Sequence, residues 1–522
     1  MAPNDIVPLK PKQKRRLYEP VIMYKSLTEI THEEGALRSA EVPDRPGTEE
    51  QRYHRFLHRI ASVCDSTKGG KTVTSVTILD GEERFTYVFG CNQISIGELS
   101  RTQKFVTDLL RKLSGFDKLK DYEKTSVRSD VLKMILIFNL PRIDCYLRDL
   151  KNQLVDCLDY CERKTDAKGT DSAVGRGLRA FNRAIKNTAF KELADSQFLV
   201  SYDSLLQSLA TFLTPQTTRY VDEHANTGRF NDGRSFECWS ELRHSISRLR
   251  NYKRTVQDLV DAEKEWPELF QEFAVISVPS SKPEGNPLGK KSETADAIIG
   301  RMCSDETSQT RYRNLAQNLQ GMDLDARIQK QCTKTGFKPF VHSEILVLEW
   351  IVANTTRHNL HNATRDHIPF FRDWKYIGSS KGACQLCRYY FDTIGQHNGI
   401  QTRASHGNLY VNWRFPDLYE VDGALAKTRR QMIYNSMMGK IREDAFGILV
   451  SRNSEGKRHD SSTHPLSVRH TDVQTDLGAR DLPDVDELGE DLARGLSLGD
   501  SPTNSLEESD LDDEEEGGTS LG

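Results

Sequence analysis

A strong β-hairpin signal near the start of the chain constrains the fold more than any other feature. In TVTSVTILDGEERFTYVFG, residues 72–90, two β-branched or aromatic runs flank Asp80 and Gly81, a pattern typical of two strands joined by a tight turn. A two-stranded hairpin is only marginally stable alone, so these strands must join a larger sheet. The remaining strand signals, KYIGSS from Lys375 and GNLYVNWRF from Gly407, lie far downstream. We therefore predict that the hairpin pairs with the KYIGSS strand in one sheet.

The chain between these strand signals has the apolar spacing of helices. Amphipathic or buried helical patterns recur from GELSRTQKFVTDLLRKLSG to ECWSELRHSISRLRNYKRTVQDLVDAEKEW, and the Pro-, Gly- and Ser-rich stretch SVPSSKPEGNPLGKKSE then indicates a linker. We therefore predict a discontinuous α/β domain with a large all-helical insertion. The predicted segments are a disordered basic N-terminus at 1–46, the first part of the α/β domain with a helix and the hairpin at 47–95, the helical insertion at 96–300, the second part of the α/β domain at 301–450, and a disordered acidic tail at 451–522.

Charge is distributed unevenly along the 522 residues. Between Asp481 and Gly522 there are fifteen acidic residues and one basic residue, a net charge of −14, so the rest of the chain carries +10 against −4 for the whole. The acidic segment has few large apolar residues and cannot bury enough surface to fold, so we predict a solvated, disordered tail.

The sequence predicts an intracellular protein without a membrane span. No stretch approaches the roughly 18 uncharged apolar residues that a span needs, and the N-terminus has no apolar secretion signal. A basic cluster of the kind used in nuclear import is formed by Lys10, Lys12, Lys14, Arg15 and Arg16. We therefore expect a cytoplasmic or nuclear location, in which the ten cysteines stay reduced.

Two short motifs at helix starts carry the chemistry. His342 and Glu344 fall in the first turn of a largely buried helix that begins after Pro339, and Cys384 and Cys387 open a second helix after the KYIGSS strand. One histidine and two cysteines are a ligand set that leaves a fourth position on zinc open for water. The positive end of a helix dipole also favours the thiolates that bind metal.

A lone Cys-x-x-Cys motif is weak evidence, because structural zinc sites and redox dithiols share it. The His-x-Glu motif at a helix start, with a strand between the two motifs, favours a deaminase fold over either alternative. In that fold the His-x-Glu carboxylate is not a ligand but moves protons, and the metal activates the water that attacks the amino-bearing carbon of a base.

Three segments extend this resemblance. FVHSEILVLEW, YIGSSKGACQLC and SHGNLYVNWRFP resemble the OTT-type deaminase-like family of fungi, within the zinc-dependent nucleotide and nucleic-acid deaminase superfamily. These segments cover about residues 339 to 416, and the helical block and tails carry little of the resemblance. Ala383 departs from the wider superfamily, in which a proline precedes the first cysteine.

The resemblance implies a cytidine-deaminase-like three-layer α-β-α sheet domain and a site within it. It implies Zn²⁺ held by His342, Cys384 and Cys387, with Glu344 as the catalytic residue. It also implies that three further residues line the substrate pocket, namely Asn92, Ser380 and Lys381.

Two classes of function follow from these observations. The first is a hydrolase, a zinc-dependent deaminase acting on a nucleobase that is free or part of a nucleotide or nucleic acid, and the positive body of the chain favours a polyanionic substrate. The second is a catalytically silent binding or scaffold protein with a structural zinc, which meets a protein partner through its helical insertion. Only the enzyme needs Glu344 and an open fourth position on the metal.

Overall fold

The computed structural model describes residues 6–33, 47–81, 83–163, 170–190, 195–227, 237–289, 293–359 and 369–451. Helices and strands follow one another along the described chain as α1 Pro11–Glu33, α2 Glu49–Cys64, β1 Thr74–Asp80, β2 Phe85–Cys91, α3 Ile96–Leu113, α4 Asp121–Phe138, α5 Leu140–Arg163, α6 Thr170–Ile185, α7 Asp195–Phe212, α8 Pro215–Thr227, α9 Glu237–Glu265, α10 Glu268–Gln271, β3 Phe273–Val278, α11 Ala295–Met302, α12 Glu306–Gln317, α13 Leu324–Thr333, α14 Ser343–Asn359, β4 Tyr376–Ser379, α15 Gln385–Phe391, β5 Gln401–Thr402 and α16 Gly423–Ser451.

The five strands form one mixed sheet in the order β3-β2-β1-β4-β5. The hairpin strands β1 and β2 are antiparallel along their whole length, and β3 adds to β2 in parallel. On its other edge β1 pairs antiparallel with β4, with Ser75 opposite Ser379 and Val76 opposite Gly378. The predicted pairing between the hairpin and the KYIGSS strand is therefore confirmed, and a mixed sheet with many helices is an α/β architecture.

Alternate residues of the sheet face two different hydrophobic cores. Tyr87 and Phe89 of β2 pack into a core that contains α2 and the helices α3–α10. Val88, between them, packs into a second core with residues of α14, α15 and α16. Since successive side chains of a strand point to opposite faces, the sheet is covered by helices on both sides.

The helices next to the hairpin begin with strong capping signals. Thr48 accepts a hydrogen bond from the N–H of Gln51 in a capping box at α2, and Ser95 and Glu98 form the same arrangement at α3. Each box satisfies two backbone N–H groups that the helix start leaves unpaired. The caps fix where the chain enters the helices on either side of the hairpin.

The prediction of disorder at 1–46 is wrong in part, because the N-terminal segment contains a helix. Residues 11–33 form α1, whose apolar side chains, including Val21 and Ile22, are fully buried beside α11, α13 and α16. Lysines and prolines around this run hide its helical periodicity in the sequence. Of the basic cluster, Lys14 pairs with Glu284 and Arg15 with Glu293, so part of the cluster stabilises the fold. Residues 34–46 lie outside the described residues.

The predicted helical insertion at 96–300 contains a strand. Phe273–Val278 forms β3, which runs parallel to β2 with Phe85 opposite Phe273. Its burial is mostly partial, as befits an edge strand. The all-helical part of this range therefore ends before Phe273, and the Ser- and Pro-rich stretch that follows packs against the sheet, since Ser280 donates to the carbonyl of Cys91.

The predicted strand GNLYVNWRF is wrong. Alternate residues of this segment are buried, ending in Trp413 at 0% exposure, which explains the strand-like pattern. Its backbone, however, forms no strand ladder with the described residues: Trp413 makes a single parallel bridge to Phe340, and the carbonyl of Asn408 accepts from the N–H of Gln385. The chain enters α14 three residues after Phe340. The pairing with Trp413 therefore cannot extend into a longer ladder. The strand next to β4 is instead β5, two residues long.

Two further predictions lie at the limits of the described chain. The acidic tail at 451–522 falls outside the described residues except for Ser451, which ends α16.

Among the helices that the structure describes, none combines the length and apolar character needed to cross a membrane.

Candidate metal centre

His342 is held at the start of α14 by the strands it packs against. The backbone N–H of Ser343 donates to Oδ1 of Asn92, just past β2, at 2.8 Å. The hydroxyl of Ser343 also lies 2.8 Å from the hydroxyl of Ser75 in β1. Both contacts are buried, so the hairpin fixes the first turn of α14 and with it His342 and Glu344.

The two cysteines are positioned by the turn into α15. Cys384 is the N-cap, and its Sγ accepts a hydrogen bond from the N–H of Cys387 at 3.4 Å. Just before it, Gly382 passes so close to the next segment that a Cβ would lie 2.7 Å from the carbonyl oxygen of Ala404. Only glycine fits this approach. The turn is also held by the parallel bridge between Ala383 and Ser405.

The structure brings His342, Cys384 and Cys387 together at the end of the sheet. Nδ1 of His342 lies 3.5 Å from Sγ of Cys384 and 3.3 Å from Sγ of Cys387. All three ligand atoms lie within 4.8 Å of one another. Ligands about 2.3 Å (sulfur) and 2.0 Å (nitrogen) from a tetrahedral zinc would stand roughly 3.6 Å apart. The spacing and donor types therefore fit zinc.

The site favours a thiolate even before a metal is considered. Burial alone would raise the pKa of the Cys384 thiol, but a hydrogen bond from Cys387 and the nearby His342 hold it well below its usual value. The same thiolate raises the pKa of His342 against the effect of burial. Burial and the Cys384 charge raise the pKa of Cys387. A divalent cation would relieve this repulsion, because coordination deprotonates thiols.

Glu344 lies beside this group with its side chain 4% exposed. Burial and the charge of Cys384 raise its pKa, and the attraction of His342 only partly offsets this effect. The hydroxyl of Ser343 donates to Oε2 of Glu344 at 3.3 Å. A carboxyl group whose pKa is raised toward neutrality can both accept and return a proton.

The three residues expected to line the substrate pocket are engaged within the protein. Asn92 caps α14 with its oxygen and donates from Nδ2 to the carbonyl of Gly70. The hydroxyl of Ser380 donates to Asp65 and accepts from the N–H of Thr74. Burial would raise the pKa of the Asp65 carboxyl, but the charge of Arg142, and after it that of Lys381, lowers it. These contacts place Asn92 next to the metal group and tie Ser380 to the end of α2.

Two aromatic residues near the site were not singled out from the sequence. The ring of Phe340 lies 5.1 Å from the ring of His342, and the ring of Tyr410 lies 6.4 Å from it. Tyr410 is 37% exposed, so its ring stands at the edge of the buried group. Tyr410 lies in the SHGNLYVNW segment, which carries the family resemblance. That position could have indicated from the sequence that Tyr410 lies near the site.

Comparison with known proteins identifies the segment that holds the site. Residues 341–417 match the family model described as OTT_1508-like deaminase. The match includes His342, Glu344, Cys384 and Cys387, whereas the hairpin and the helices α3–α10 lie outside it. Neither a curated protein nor a solved structure matches the chain.

Proposed function

Since residues 341–417 match the OTT_1508-like deaminase family model, we propose that this chain is a zinc-dependent deaminase that hydrolyses the exocyclic amino group of a nucleobase. The observation that carries the proposal is the convergence of His342, Cys384 and Cys387 with Glu344 beside them. Three ligands leave one position on zinc for water. Glu344 is not one of these ligands, so its carboxylate is available to transfer protons.

His342, Cys384 and Cys387 would hold the metal, which when bound supplies a Lewis acid that lowers the pKa of a water toward ~7. Glu344 takes a proton from the attacking water and passes it to the ring nitrogen of the base. It then takes the proton of the new hydroxyl group on the attacked carbon and gives it to the departing amino group, so that a carbonyl group remains. Burial raises the pKa of Glu344, which favours the protonated form that the proton-donating steps require. The products are a carbonyl-bearing base and ammonia.

The proposed fold is a cytidine-deaminase-like three-layer α-β-α domain in which α3–α10 are an insertion. Support comes from the sheet, which has α2 against one face and α14 against the other. The hairpin on one side of α3–α10 pairs with β4 on the other side. The contact of Asn92 with Ser343 makes the upstream part necessary for the site, since residues 341–417 alone lack it.

The proposed substrate is a base within a nucleotide or nucleic acid rather than a free base. The chain outside the acidic segment Asp481–Gly522 carries a net charge of +10, and phosphate contacts require lysine and arginine. Tyr410 offers a partly exposed ring near the metal group on which a base could stack.

A mass-spectrometric screen for deamination tests the proposal. Zinc-loaded full-length protein would be incubated with nucleosides, nucleotides, and single-stranded DNA and RNA oligonucleotides, with a Cys384→Ser variant as the metal-free control. We expect a deaminated product and ammonia from the parent protein and none from the variant. A zinc-loaded protein that binds an oligonucleotide and releases no ammonia from any substrate would instead support a silent binding protein.

A further inference from the structure

A second group of buried polar side chains lies between α5 and α9, away from the metal centre. It consists of Arg142 and Tyr146 on α5 and Arg248 and Tyr252 on α9, and we call it the arginine–tyrosine cluster. Each pair is spaced four residues apart and so lies on one helical face. All four side chains are more than nine-tenths buried. Two guanidinium groups in such a place require compensation, because isolated buried charges are costly.

Arg142 is compensated within the protein. It forms a buried ion pair with Asp65, at the end of α2, and donates to the carbonyl oxygen of that residue. Its Nε donates to the hydroxyl of Tyr146 at 3.2 Å. Asp65 also accepts from Thr72 and Ser380, so both oxygens of its carboxylate are engaged.

Arg248 has no such compensation among the residues that the structure describes. No carboxylate oxygen there lies within ion-pair distance of its guanidinium, and its contact is the ring of Tyr146, 5.7 Å from the guanidinium carbon. Its Nε is buried without a hydrogen-bond acceptor, and the buried hydroxyl of Tyr252 also lacks a partner. A buried donor without an acceptor forfeits the hydration that it had in the unfolded chain.

A third cation, Lys68, lies beside the same aromatic ring but is paired with a carboxylate. Nζ of Lys68 lies 5.8 Å from the centre of the Tyr146 ring, and the carbon of the Arg142 guanidinium lies 5.6 Å from it. Lys68 pairs with Asp149, so the charge of Arg248 remains in excess. The excess also acts on Tyr146: burial raises the pKa of its hydroxyl, yet Arg142 and Arg248 bring it below the ordinary value.

We propose that the arginine–tyrosine cluster binds a phosphate-class oxyanion through Arg248 and Tyr252. The free groups there are hydrogen-bond donors, and a guanidinium matches the oxygens of a tetrahedral anion. A bound anion would supply the charge that Arg248 lacks. Because Arg142 links the cluster to Asp65, and Asp65 accepts from Ser380 four residues before Cys384, the anion would stabilise the packing of the helices against the sheet. This site is separate from the proposed deaminase function.

Two measurements on the full-length protein test for the anion. Ion chromatography of protein denatured after exhaustive dialysis measures any anion that stays bound through purification. Thermal unfolding in sodium phosphate, compared with sodium chloride at equal ionic strength, measures binding of added phosphate, since a ligand of the folded state raises the unfolding temperature. Inositol hexakisphosphate and ATP in parallel titrations distinguish free phosphate from a phosphate group on a larger molecule.

Variants assign the effect to the cluster. Arg248→Met keeps a similar apolar volume and removes the guanidinium, and we expect it to weaken phosphate binding by about 100-fold. Tyr252→Phe removes only a hydroxyl and should weaken binding by about 10-fold. Arg163→Met, at an exposed position near the end of α5, removes the same charge and should bind phosphate like the parent protein.

The outcomes separate clearly. Stoichiometric bound phosphate, or a saturable rise in unfolding temperature, that persists in Arg163→Met and is lost in Arg248→Met supports the site. An equal response of the parent protein and Arg248→Met overturns it, as does a parent protein with neither bound anion nor any response. If Arg248→Met does not fold, Tyr252→Phe decides: an unchanged phosphate affinity in that variant also overturns the site.

Discussion

Gly378 in β4 lies directly against Leu57 in α2. A Cβ added to Gly378 would be 2.4 Å from Cβ of Leu57 and 2.9 Å from its carbonyl carbon. This contact brings the helix that precedes the hairpin onto the strand that leads to the cysteines, although the two are far apart in sequence. The close approach of α2 to the sheet therefore depends on the missing side chain.

Replacing Gly378 with alanine should destabilise the protein by about 3 kcal/mol, because the added methyl group meets backbone that cannot easily move. Chemical denaturation of the purified variant measures this change. Gly439→Ala is the matched control: it lies on the exposed side of α16 with open space around it, so alanine there should raise stability by about 0.5–1 kcal/mol. Equal stabilities of the two variants would contradict the packing described.

The proposed metal centre should hold about one zinc per chain. Cys384→Ser and Cys387→Ser should each lose the metal and lower the unfolding temperature, because bound metal contributes folding free energy. Cys332→Ser provides the control, since Cys332 is equally buried in the same core but lies outside the metal group. Elemental analysis of the three variants checks this, and unchanged zinc in both site variants would exclude the site.

His397 connects stability to pH. Its Nε2 donates to the carbonyl of Tyr390 at 2.6 Å, and its Nδ1 accepts from Arg429 at 3.1 Å, so the folded protein holds the neutral ring. Burial, with the charge of Arg429, lowers its pKa to about 4. The unfolded chain binds a proton near pH ~6.5, which is above the folded pKa. Stability therefore falls as the pH is lowered through this window.

The free energy of unfolding should fall by about 3 kcal/mol between pH ~6.5 and pH ~4 because of this residue. His397→Gln can keep both hydrogen bonds without titrating, so its stability should decline less over the same range. Urea unfolding at several pH values compares the two proteins. Parallel stability curves would show that His397 does not carry the effect.

The sheet was predictable from sequence because its central signals are local. The runs around Asp80 and Gly81 specify a hairpin. Because an isolated hairpin is only marginally stable, we expected it to pair with a further strand, and β4 is that strand. β3 was missed because it is a short, half-exposed edge strand within a helical region. The segment ending at Trp413 was mistaken for a strand because burial of alternate residues does not require a ladder.

The sequence predicted that His342, Cys384 and Cys387 come together, as they do, but it did not predict the surroundings of this group. His342, Cys384 and Cys387 are rare residue types at helix starts, and chemistry limits what such residues do together. Asn92 and Ser380 are polar residues whose partners depend on the folded chain, and the structure places their side chains in internal hydrogen bonds. Arg248 gave no signal, because an arginine on an amphipathic helix is ordinarily at the surface.

The most direct test of the account is ammonia release by the Glu344→Gln variant, once the substrate screen has supplied a substrate. The amide cannot carry protons between water and the leaving group, so the variant should keep its zinc and its fold and lose activity by a factor of at least about 100. Glu349→Gln, on the same helix but paired with Arg429, should lose stability and keep activity wherever it remains folded. A zinc-loaded Glu344→Gln variant that releases ammonia at the parent rate would contradict the proposed mechanism.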